Sequence, residues 1–285
     1  MPRARLTHRR PLTDERGRFV RAGSGLAWWG ERLAVVQDDT RSLALVEPET
    51  LAIEWVAFGP SDPDAKRDKL DLEALVAFED ALYGIGSGST PNREVIARVQ
   101  PGVSCTLYPA PELYALLRES HAFCGSELNL EGATLAGGEL VLLQRGNGKP
   151  RNGRSPVDAS GRLDFRELVR YLEGRGPLPK LRDVKSYDLG RIRGVRSTFT
   201  DACAHAGRVF YLACAEDSPD AYSDGAVAGS SLGVLGGARV AIEGLETKAE
   251  GLALLSDTVA FVVTDADDPE VPAELCMLEL SGFDA

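Results

Sequence analysis

Four acidic residues recur at the start of apolar segments, and their type and spacing could support chemistry. They are Glu73, Glu131, Asp201 and Glu250, and Gly25 stands at the corresponding place in the first segment. Successive positions are separated by 48, 58, 70 and 49 residues. Carboxylates held close together raise one another's pKa values unless something neutralises them. The pattern therefore predicts that these side chains converge on a neutralising partner.

Three kinds of partner could neutralise such a group. A hard cation such as Ca²⁺ takes roughly six to eight oxygen ligands and favours carboxylates. Basic residues that are near the acids in sequence, among them Lys69, Arg145 and Lys248, offer ion pairs. Backbone N–H groups of a neighbouring repeat offer charge-assisted hydrogen bonds. The sequence leaves all three open. The first would make calcium ligands of the four acids, Glu73, Glu131, Asp201 and Glu250.

Each of these positions begins a segment with the pattern of a β-hairpin. A short apolar run is followed by a turn rich in Gly, Glu and Asp, and then by a second apolar run that ends in polar residues. The five segments are Ser24–Asp39, Leu72–Ser89, Leu130–Gly148, Thr200–Ser218 and Ala249–Asp268. The runs are too short for helices, and the turn falls where a helix would have to continue.

Repeats of about 40–50 residues with four strands each are typical of propeller blades. We therefore predict an all-β fold, a β-propeller with five blades, or alternatively six, and residues 1–285 as a single domain. The last repeat lacks a fourth strand. The segment Arg3–Pro11 is predicted to supply it by pairing with Glu274–Leu280, which would close the ring and remove two exposed edges. Apolar residues at helical spacing in APELYALLRESH and GRLDFRELVRYLEG predict two short helices.

The ends of the hairpins should lie on the same face as the recurring acids, because the first strand of a blade enters where the second strand leaves. This topology predicts a ligand-binding set at the channel mouth. Its members are Asp38, Arg145, Asn147, Glu216, Asp217 and Asp265. Arg145 lies in a basic loop, Gln144–Arg154, that could serve as the electrostatic counterpart of the acids or as a clamp for an anionic substrate. The polar segment AEDSPDAYSDG, residues 215–225, is the candidate lid.

Composition narrows the classes of partner. The net charge is −11 and the isoelectric point is near 4.9, so the protein would repel nucleic acid and anionic membranes. No apolar run is long enough for a membrane span, and the basic N-terminus lacks the apolar core of a signal peptide. The five cysteines are odd in number and show no paired spacing, which predicts reduced thiols in a cytoplasmic protein. A closed ring would suffice as a monomer.

Several of these stretches resemble a family of uncharacterised bacterial propeller proteins. The resemblance rests on KLDLEALVAFEDALYGIGSGS, NLEGATLAGGELVLLQRGNG, KAEGLAL and above all the segment Phe199–Leu235. More distantly, the pattern of an acid, a small residue and an apolar run is similar to the gluconolactonase, phytase-esterase-like and SdiA-regulated propellers. In those groups a channel acid often ligates Ca²⁺. The resemblance therefore implies Ca²⁺ as a cofactor and the four recurring acids as its ligands.

Two functions follow from the sequence. The first is a propeller that binds a small molecule or a protein at an acidic channel mouth. The alternative is a calcium-assisted hydrolase of a small ester, lactone or phosphoester, in which an unligated acid serves as general base. The three histidines show no ligand or triad spacing, so no catalytic residue is assigned and enzymatic activity stays open.

Overall fold

The computed structural model describes residues 1–58, 69–217 and 225–283, and the chain in these ranges is mostly β. The first strand is β1 (Arg3–Pro11). Five antiparallel units then follow, named here unit 1 to unit 5. Unit 1 consists of β2 (Gly23–Trp29), β3 (Arg32–Gln37), β4 (Ser42–Val46) and β5 (Ile53–Ala57). Unit 2 consists of β6 (Leu72–Phe78), β7 (Ala81–Gly86), β8 (Val95–Gln100) and β9 (Ser104–Pro109).

The remaining units repeat this order. Unit 3 consists of β10 (Leu130–Ala136), β11 (Glu139–Gln144), β12 (Asp158–Asp164) and β13 (Arg182–Tyr187). A short strand, β14 (Arg191–Ile192), precedes unit 4, which consists of β15 (Val195–His205), β16 (Arg208–Asp217), β17 (Ala226–Val234) and β18 (Arg239–Glu243). Unit 5 consists of β19 (Lys248–Ser256), β20 (Val259–Asp265) and β21 (Glu274–Ser281), with β1 as its outer strand. The predicted hairpins all form.

The terminal strands lie side by side. Strand β1 is antiparallel to β21, from Arg3 opposite Ser281 to Pro11 opposite Glu274. Its first half also touches β18 in parallel at Ala4 and Arg5. This contact joins units 4 and 5, with β14, into one nine-stranded sheet, whereas units 1 to 3 are separate four-stranded sheets.

The first strands of the five units lie at the centre of the fold. Strand β2 contacts β6, β6 contacts β10, β10 contacts β15, β15 contacts β19, and β19 contacts β2. Apolar side chains fill the layers between neighbouring units, for example Leu26, Val35 and Val263 between units 1 and 5. This arrangement is a propeller-like fold.

Three short α-helices, α1 (Pro111–Glu119), α2 (His121–Cys124) and α3 (Phe165–Leu172), pack on units 2 and 3. Two of them were predicted from the apolar spacing. The side chain of Asp164 caps α3 by accepting the Glu167 N–H at 2.9 Å. In α1, the buried Tyr114 donates its hydroxyl to the Gly86 and Val95 carbonyls at 2.8 and 3.1 Å. The helix thereby fixes the end of β7, which lies beside the site described below.

Each central strand contains a β-bulge in its first half or at its middle, and β19 has a second one at Leu255. At the first bulge of each strand, the pairing with the second strand of the unit skips one residue. The five skipped residues are Ser24, Glu73, Glu131, Thr200 and Glu250. A bulge bends its strand and changes the direction of the extra side chain. The same position of each unit therefore departs from regular strand geometry.

The residue after the bulge lies against the neighbouring central strand. A Cβ atom added at Gly25 would meet Leu75 N at 2.9 Å, and one at Gly132 would meet the Asp201 backbone at 2.9 Å. A Cβ atom at Gly251 would meet Leu26 N at 2.9 Å. At these three positions the backbones approach too closely for a side chain, which explains the glycine after Glu131 and after Glu250.

All five cysteines have free thiols. Among the described residues, no helix is long and apolar enough to cross a membrane.

We expect deletion of residues 1–11 to destabilise the protein by several kcal/mol, because the outer strand of unit 5 and the fully buried Ala4 would be lost. Thermal or urea unfolding measures the change. Deletion of only Met1 and Pro2 is the control, since it leaves β1 intact. An unchanged melting temperature in the longer deletion would contradict the role given to β1.

Candidate functional site

The candidate site lies where the bulges occur. In each unit, the residue two places before the bulge lies opposite a residue at or near the end of the second strand. Three equivalent rows result, and together they are called the mouth. The bulge row is Ser24, Glu73, Glu131, Thr200 and Glu250. The preceding row is Ala22, Asp71, Asn129, Thr198 and Lys248. The partner row is Asp38, Ser87, Arg145, Cys214 and Asp265.

Arg145 neutralises the side of the mouth formed by units 3 and 4. Its guanidinium lies 3.3 Å from Glu131 Oε1 and 2.7 Å from Glu216 Oε2, and it donates to Thr198 Oγ1 at 3.0 Å. Its side chain is 5% exposed. Burial alone would lower the pKa of Arg145, but the carboxylates of Glu131, Glu250 and Glu216 raise it well above its ordinary value. Arg145 therefore stays charged and joins the two units.

Lys248 neutralises the carboxylates of the mouth in unit 5. Its ammonium lies 2.7 Å from Glu250 Oε1, 3.7 Å from Glu216 Oε2 and 3.8 Å from Asp267 Oδ1. Burial would raise the pKa of Glu216, but Lys248 and Arg145 outweigh burial and bring it below its ordinary value. The two cations and the carboxylates of Glu131, Glu216 and Glu250 form one buried network, called here the internal ion cluster.

Asp201 does not belong to the bulge row. It lies one residue beyond the bulge at Thr200, so its equivalents are Gly25, Ala74, Gly132 and Gly251. Its carboxylate accepts the Leu252 N–H at 2.7 Å. Burial raises the pKa of Asp201 well above its ordinary value, against the N–H groups of Leu252, Ala202 and Leu26. Asp201 thus links β15 to the central strands of units 5 and 1.

A second group of acids occupies the side of the mouth formed by units 1 and 2. Carboxylate oxygens of Asp38, Asp71 and Glu73 all lie within 4.8 Å of one another. Asp38 forms an ion pair with Lys69, with 3.1 Å between Asp38 Oδ2 and Lys69 Nζ. Its other oxygen, Oδ1, is buried and has no hydrogen-bond partner among the described residues. These three residues are called here the open acid cluster.

Asp71 is the most constrained member of the open acid cluster. Its Oδ2 accepts the Ser87 hydroxyl at 2.5 Å and lies 2.8 Å from the Arg93 guanidinium. Its backbone has a φ of 52°, which is unusual for a residue with a side chain. Burial raises the pKa of Asp71 to about 6, against the opposing effect of Arg93 and Ser87. The local structure thus holds the carboxyl group of Asp71 beside those of Asp38 and Glu73.

Glu73 lies among acids. Burial raises its pKa well above the ordinary value, and the other groups that raise it are the carboxylates of Asp71, Glu131, Asp38 and Glu250. No ion pair with Glu73 is found within residues 1–58, 69–217 and 225–283. Its partner-row and preceding-row neighbours are Ser87 and Asp71, whereas Glu131 has Arg145 and Glu250 has Lys248.

Two other mouth carboxyls have raised pKa values. Burial raises the pKa of Glu250 to about 8 despite the nearby Lys248, and Glu131 adds to the rise. Burial also raises the pKa of Asp265 to about 7, with Lys248 opposing and Asp267 contributing. Glu250 Oε2 is buried without a hydrogen-bond partner in the described part of the chain. The mouth therefore holds more carboxyls than its cations fully compensate.

Six of the predicted residues fall in the two groups, and Asp201 and Asp265 belong to neither. Glu131 and Glu250 lie in the internal ion cluster with Arg145 and Glu216, and Asp38 and Glu73 lie in the open acid cluster. Asn147 Oδ1 accepts from Asn129 Nδ2 at 3.3 Å, and Asn129 also donates to Glu131 Oε1 at 2.6 Å. Asp217 is exposed. Of the candidate lid, residues 218–224 lie outside the described residues.

Sequence reasoning missed Asp71, Ser87 as its partner, and Arg93. The available signal was that Asp71, Asn129 and Lys248 all stand two residues before a recurring acid. The bulges were not visible in the sequence, so Gly25 and Asp201 were wrongly aligned with Glu73, although each lies one residue after its bulge.

An apolar cleft of about 1160 Å³ lies at the opposite end of the central strands. Its lining includes Trp28, Leu254 and Leu255, near the first hairpin turns of units 1 and 5, and Met277 of β21. Three glutamates, Glu31, Glu47 and Glu49, also line it, whereas the mouth residues do not.

The geometry and the sequence define a propeller-like protein with an acidic mouth, one side of which is internally ion-paired. The chain belongs to the family of unknown function DUF6929, which matches residues 19–280. Comparison with curated proteins finds no match.

Three solved structures are similar to the chain at low sequence identity. The PQQ-bound aldose sugar dehydrogenase of Streptomyces coelicolor is 12% identical with a TM-score of 0.49, covering 99% of both chains. The calcium-binding protein regucalcin of Agrobacterium tumefaciens is 11% identical with a TM-score of 0.49, covering 98% of this chain and 96% of that one. The beta-propeller domain of Myceliophteria thermophila Cps50 (Swd1) is 9% identical with a TM-score of 0.40, covering 91% and 98%. At this level of similarity no activity is carried over.

We expect Asp201→Ala to lower the free energy of unfolding by about 2–4 kcal/mol, because buried N–H groups of neighbouring central strands would lose their acceptor. Urea unfolding measures the loss. Asp217→Ala, an exposed acid in the same unit, is the control and should change stability by less than about 0.5 kcal/mol. Equal stability of the two variants would contradict the linking role of Asp201.

We expect the stability of Asp265→Asn relative to the wild type to rise with pH. The pKa of Asp265 is raised from 3.8 to about 7 in the folded protein, so its stabilising contribution is full below about pH 4 and is lost as the pH rises to about 7. The amide keeps an oxygen for the Asp267 N–H, which donates to Asp265 Oδ1 at 2.9 Å. Melting temperatures of both proteins from pH 4 to 8 measure the difference. A pH-independent difference would contradict the raised pKa.

Proposed function

We propose that the protein binds a divalent cation at the open acid cluster and, through it, a small oxygen-bearing ligand at the mouth. The observation that carries the proposal is the convergence of Asp38, Asp71 and Glu73 oxygens within 4.8 Å, with Asp38 Oδ1 buried and without a hydrogen-bond partner among the described residues. Hard cations such as Ca²⁺ and Mg²⁺ prefer carboxylate oxygen. Ca²⁺ is favoured because it tolerates irregular geometry and several ligands from side chains.

The distribution of ion pairs favours a cation at the open acid cluster over one at the internal ion cluster. Glu131 and Glu250 each have a buried cation within 3.3 Å, so a metal there would have to displace Arg145 or Lys248. Removing a buried partner from such a pair costs about 3–5 kcal/mol. Glu73 has only carboxylates among the groups that raise its pKa. A cation bound at Glu73 would relieve this repulsion without displacing Arg145 or Lys248, and the ion pair beside it, between Lys69 and Asp38, is more exposed than theirs.

The proposal includes the architecture that brings the residues together. We infer that each unit is one blade of a five-bladed propeller and that the pairing of β1 with β21 closes it. The contacts that run from β2 through β6, β10, β15 and β19 back to β2 support this inference. In a ring of this kind, Asp38 of the first blade lies next to Asp71 and Glu73 of the second.

A cation held by three carboxylates would keep several coordination positions for water or a ligand. The ligand should therefore be a small molecule with hydroxyl, carbonyl or carboxylate oxygens. Binding of a small molecule is favoured over binding of a protein because the open acid cluster is partly or fully buried, which limits access by a large surface.

The second candidate function is hydrolysis of a small ester, lactone or phosphoester. The observation that favours it is Asp265, whose raised pKa of about 7 suits a general base near neutral pH. Asp38 is among the groups that raise this pKa, so the two carboxyls interact electrostatically across units 5 and 1. The cation would polarise the carbonyl or phosphoryl oxygen. In this function, Asp265 would take the proton of the attacking water.

We expect Ca²⁺ to raise the melting temperature of the wild type, since a ligand that binds only the folded state stabilises it, by about 2.7 kcal/mol at 100 times its dissociation constant. Calorimetric titration of the protein, freed of metal with a chelator, should give one site. Asp38→Asn and Glu73→Gln should each weaken binding at least about 10-fold, because each removes one charged ligand. Glu243→Gln, which changes an exposed acid on β18, is the matched control and should bind like the wild type.

Stability without calcium provides a second readout for the same variants. Glu73→Gln should keep or raise the melting temperature in chelator, because the ionised form of Glu73 is disfavoured in the folded state. A marked fall would make Glu73 a structural acceptor. Absence of calcium or magnesium binding by the wild type would contradict the proposed function. Turnover of ester or lactone substrates by the wild type, lost in Asp265→Asn, would favour the hydrolase.

A further inference from the structure

Two lysines form ion pairs with carboxylates of the mouth, and they differ in how firmly they are held. Lys248 is 9% exposed at its side chain, and three carboxylates lie within 3.8 Å of its ammonium. Lys69 is 25% exposed at its side chain, and its ammonium forms one ion pair with the described residues, to Asp38 at 3.1 Å. Lysine has a flexible stem with several rotatable bonds. Lys69 can therefore leave its carboxylate with the loss of one ion pair, whereas Lys248 cannot leave without abandoning three carboxylates.

Lys69 contacts the same carboxylate that the open acid cluster offers to a metal. It binds Oδ2 of Asp38, whose Oδ1 is the buried oxygen without a partner in the described ranges. Burial alone would lower the pKa of Lys69, but Asp38, Asp39 and Asp71 together raise it above its ordinary value. The ammonium is thus charged and already supplies one positive charge to the site.

The charges show what a divalent cation would change. The open acid cluster contributes three negative charges when ionised, and Arg93 contributes one positive charge through Asp71. A divalent cation makes this group neutral. If Lys69 also remained on Asp38, the group would have a net charge of +1, and the ammonium would lie close to the metal. Like charges at such separations repel by several kcal/mol at the effective dielectric constant of a protein surface.

We propose that Lys69 is a tethered counter-ion of the mouth that a divalent cation must displace, so that it sets the cation affinity of the site. This inference rests on the proposed function, since it concerns the same carboxylates. In the absence of metal, Lys69 satisfies Asp38 and limits repulsion within the cluster. When the cation binds, the ammonium moves from Asp38 toward solvent. The tether raises the cation concentration needed to fill the site.

Calorimetric calcium titration of Lys69→Met tests the inference. Met retains most of the apolar stem and removes the charge, so we expect Ca²⁺ to bind about 10-fold more tightly or better than to the wild type. Lys69→Arg keeps the charge and should bind within about 3-fold of the wild type. Lys185→Met is the matched control, because Lys185 is exposed on β13, the outer strand of unit 3, and it should leave the affinity unchanged. Lys69→Gln replaces Lys69→Met if the latter does not fold by circular dichroism.

Reductive methylation followed by mass spectrometry provides an independent readout on the wild type. Calcium should increase the labelling of Lys69 and leave that of Lys185 unchanged. Equal calcium affinity of Lys69→Met and the wild type, or labelling of Lys69 that calcium does not change, would overturn the displacement while leaving the cation site in place. Absence of calcium binding in both the wild type and Lys69→Met would overturn the proposed function and this inference together.

Discussion

The burial of Arg145 and Lys248 among carboxylates is the interaction on which the rest of the mouth depends. Buried ions are costly unless they are paired and hydrogen-bonded, and here Glu131, Glu216 and Glu250 supply those pairs. The network spans units 3, 4 and 5, so it fixes their relative position at the mouth. On the opposite side, Lys69 and Arg93 pair with Asp38 and Asp71, and Glu73 has no ion pair among the described residues.

The two sides of the mouth differ because equivalent positions carry different residues. The preceding row has Lys248 in unit 5 and Asp71 in unit 2, and the partner row has Arg145 in unit 3 and Ser87 in unit 2. In unit 2 an acid and a hydroxyl stand where other units have a cation. The bulge carboxylate of unit 2, Glu73, is therefore repelled by its neighbours, whereas Glu131 and Glu250 are neutralised by theirs. The same fold thus builds a structural ion cluster on one side and a candidate cation site on the other.

The hairpins and two helices could be predicted because apolar periodicity and turn residues are local signals. The pairing partner of β1 could be predicted because the last repeat lacks a fourth strand. The separation of the acids into two groups could not, because it depends on which cation reaches which carboxylate across units. A one-residue bulge also changes the alignment of repeats: it places Thr200 in the row of Glu73 and moves Asp201 to the position of Gly25. Asp71 was missed because the residues that contact it, Ser87 after β7 and Arg93, are distant from it in sequence.

The central claim is that the side of the mouth formed by units 1 and 2 holds a cation and the side formed by units 3 to 5 does not. A crystal structure with calcium, with anomalous diffraction to locate the ion, tests this most directly. The account predicts one anomalous peak within about 2.5 Å of oxygens of Asp38, Asp71 and Glu73, with Lys69 turned away from Asp38 and Arg145 and Lys248 still in place. A peak beside Glu131 or Glu250, or no peak at millimolar calcium, would contradict it.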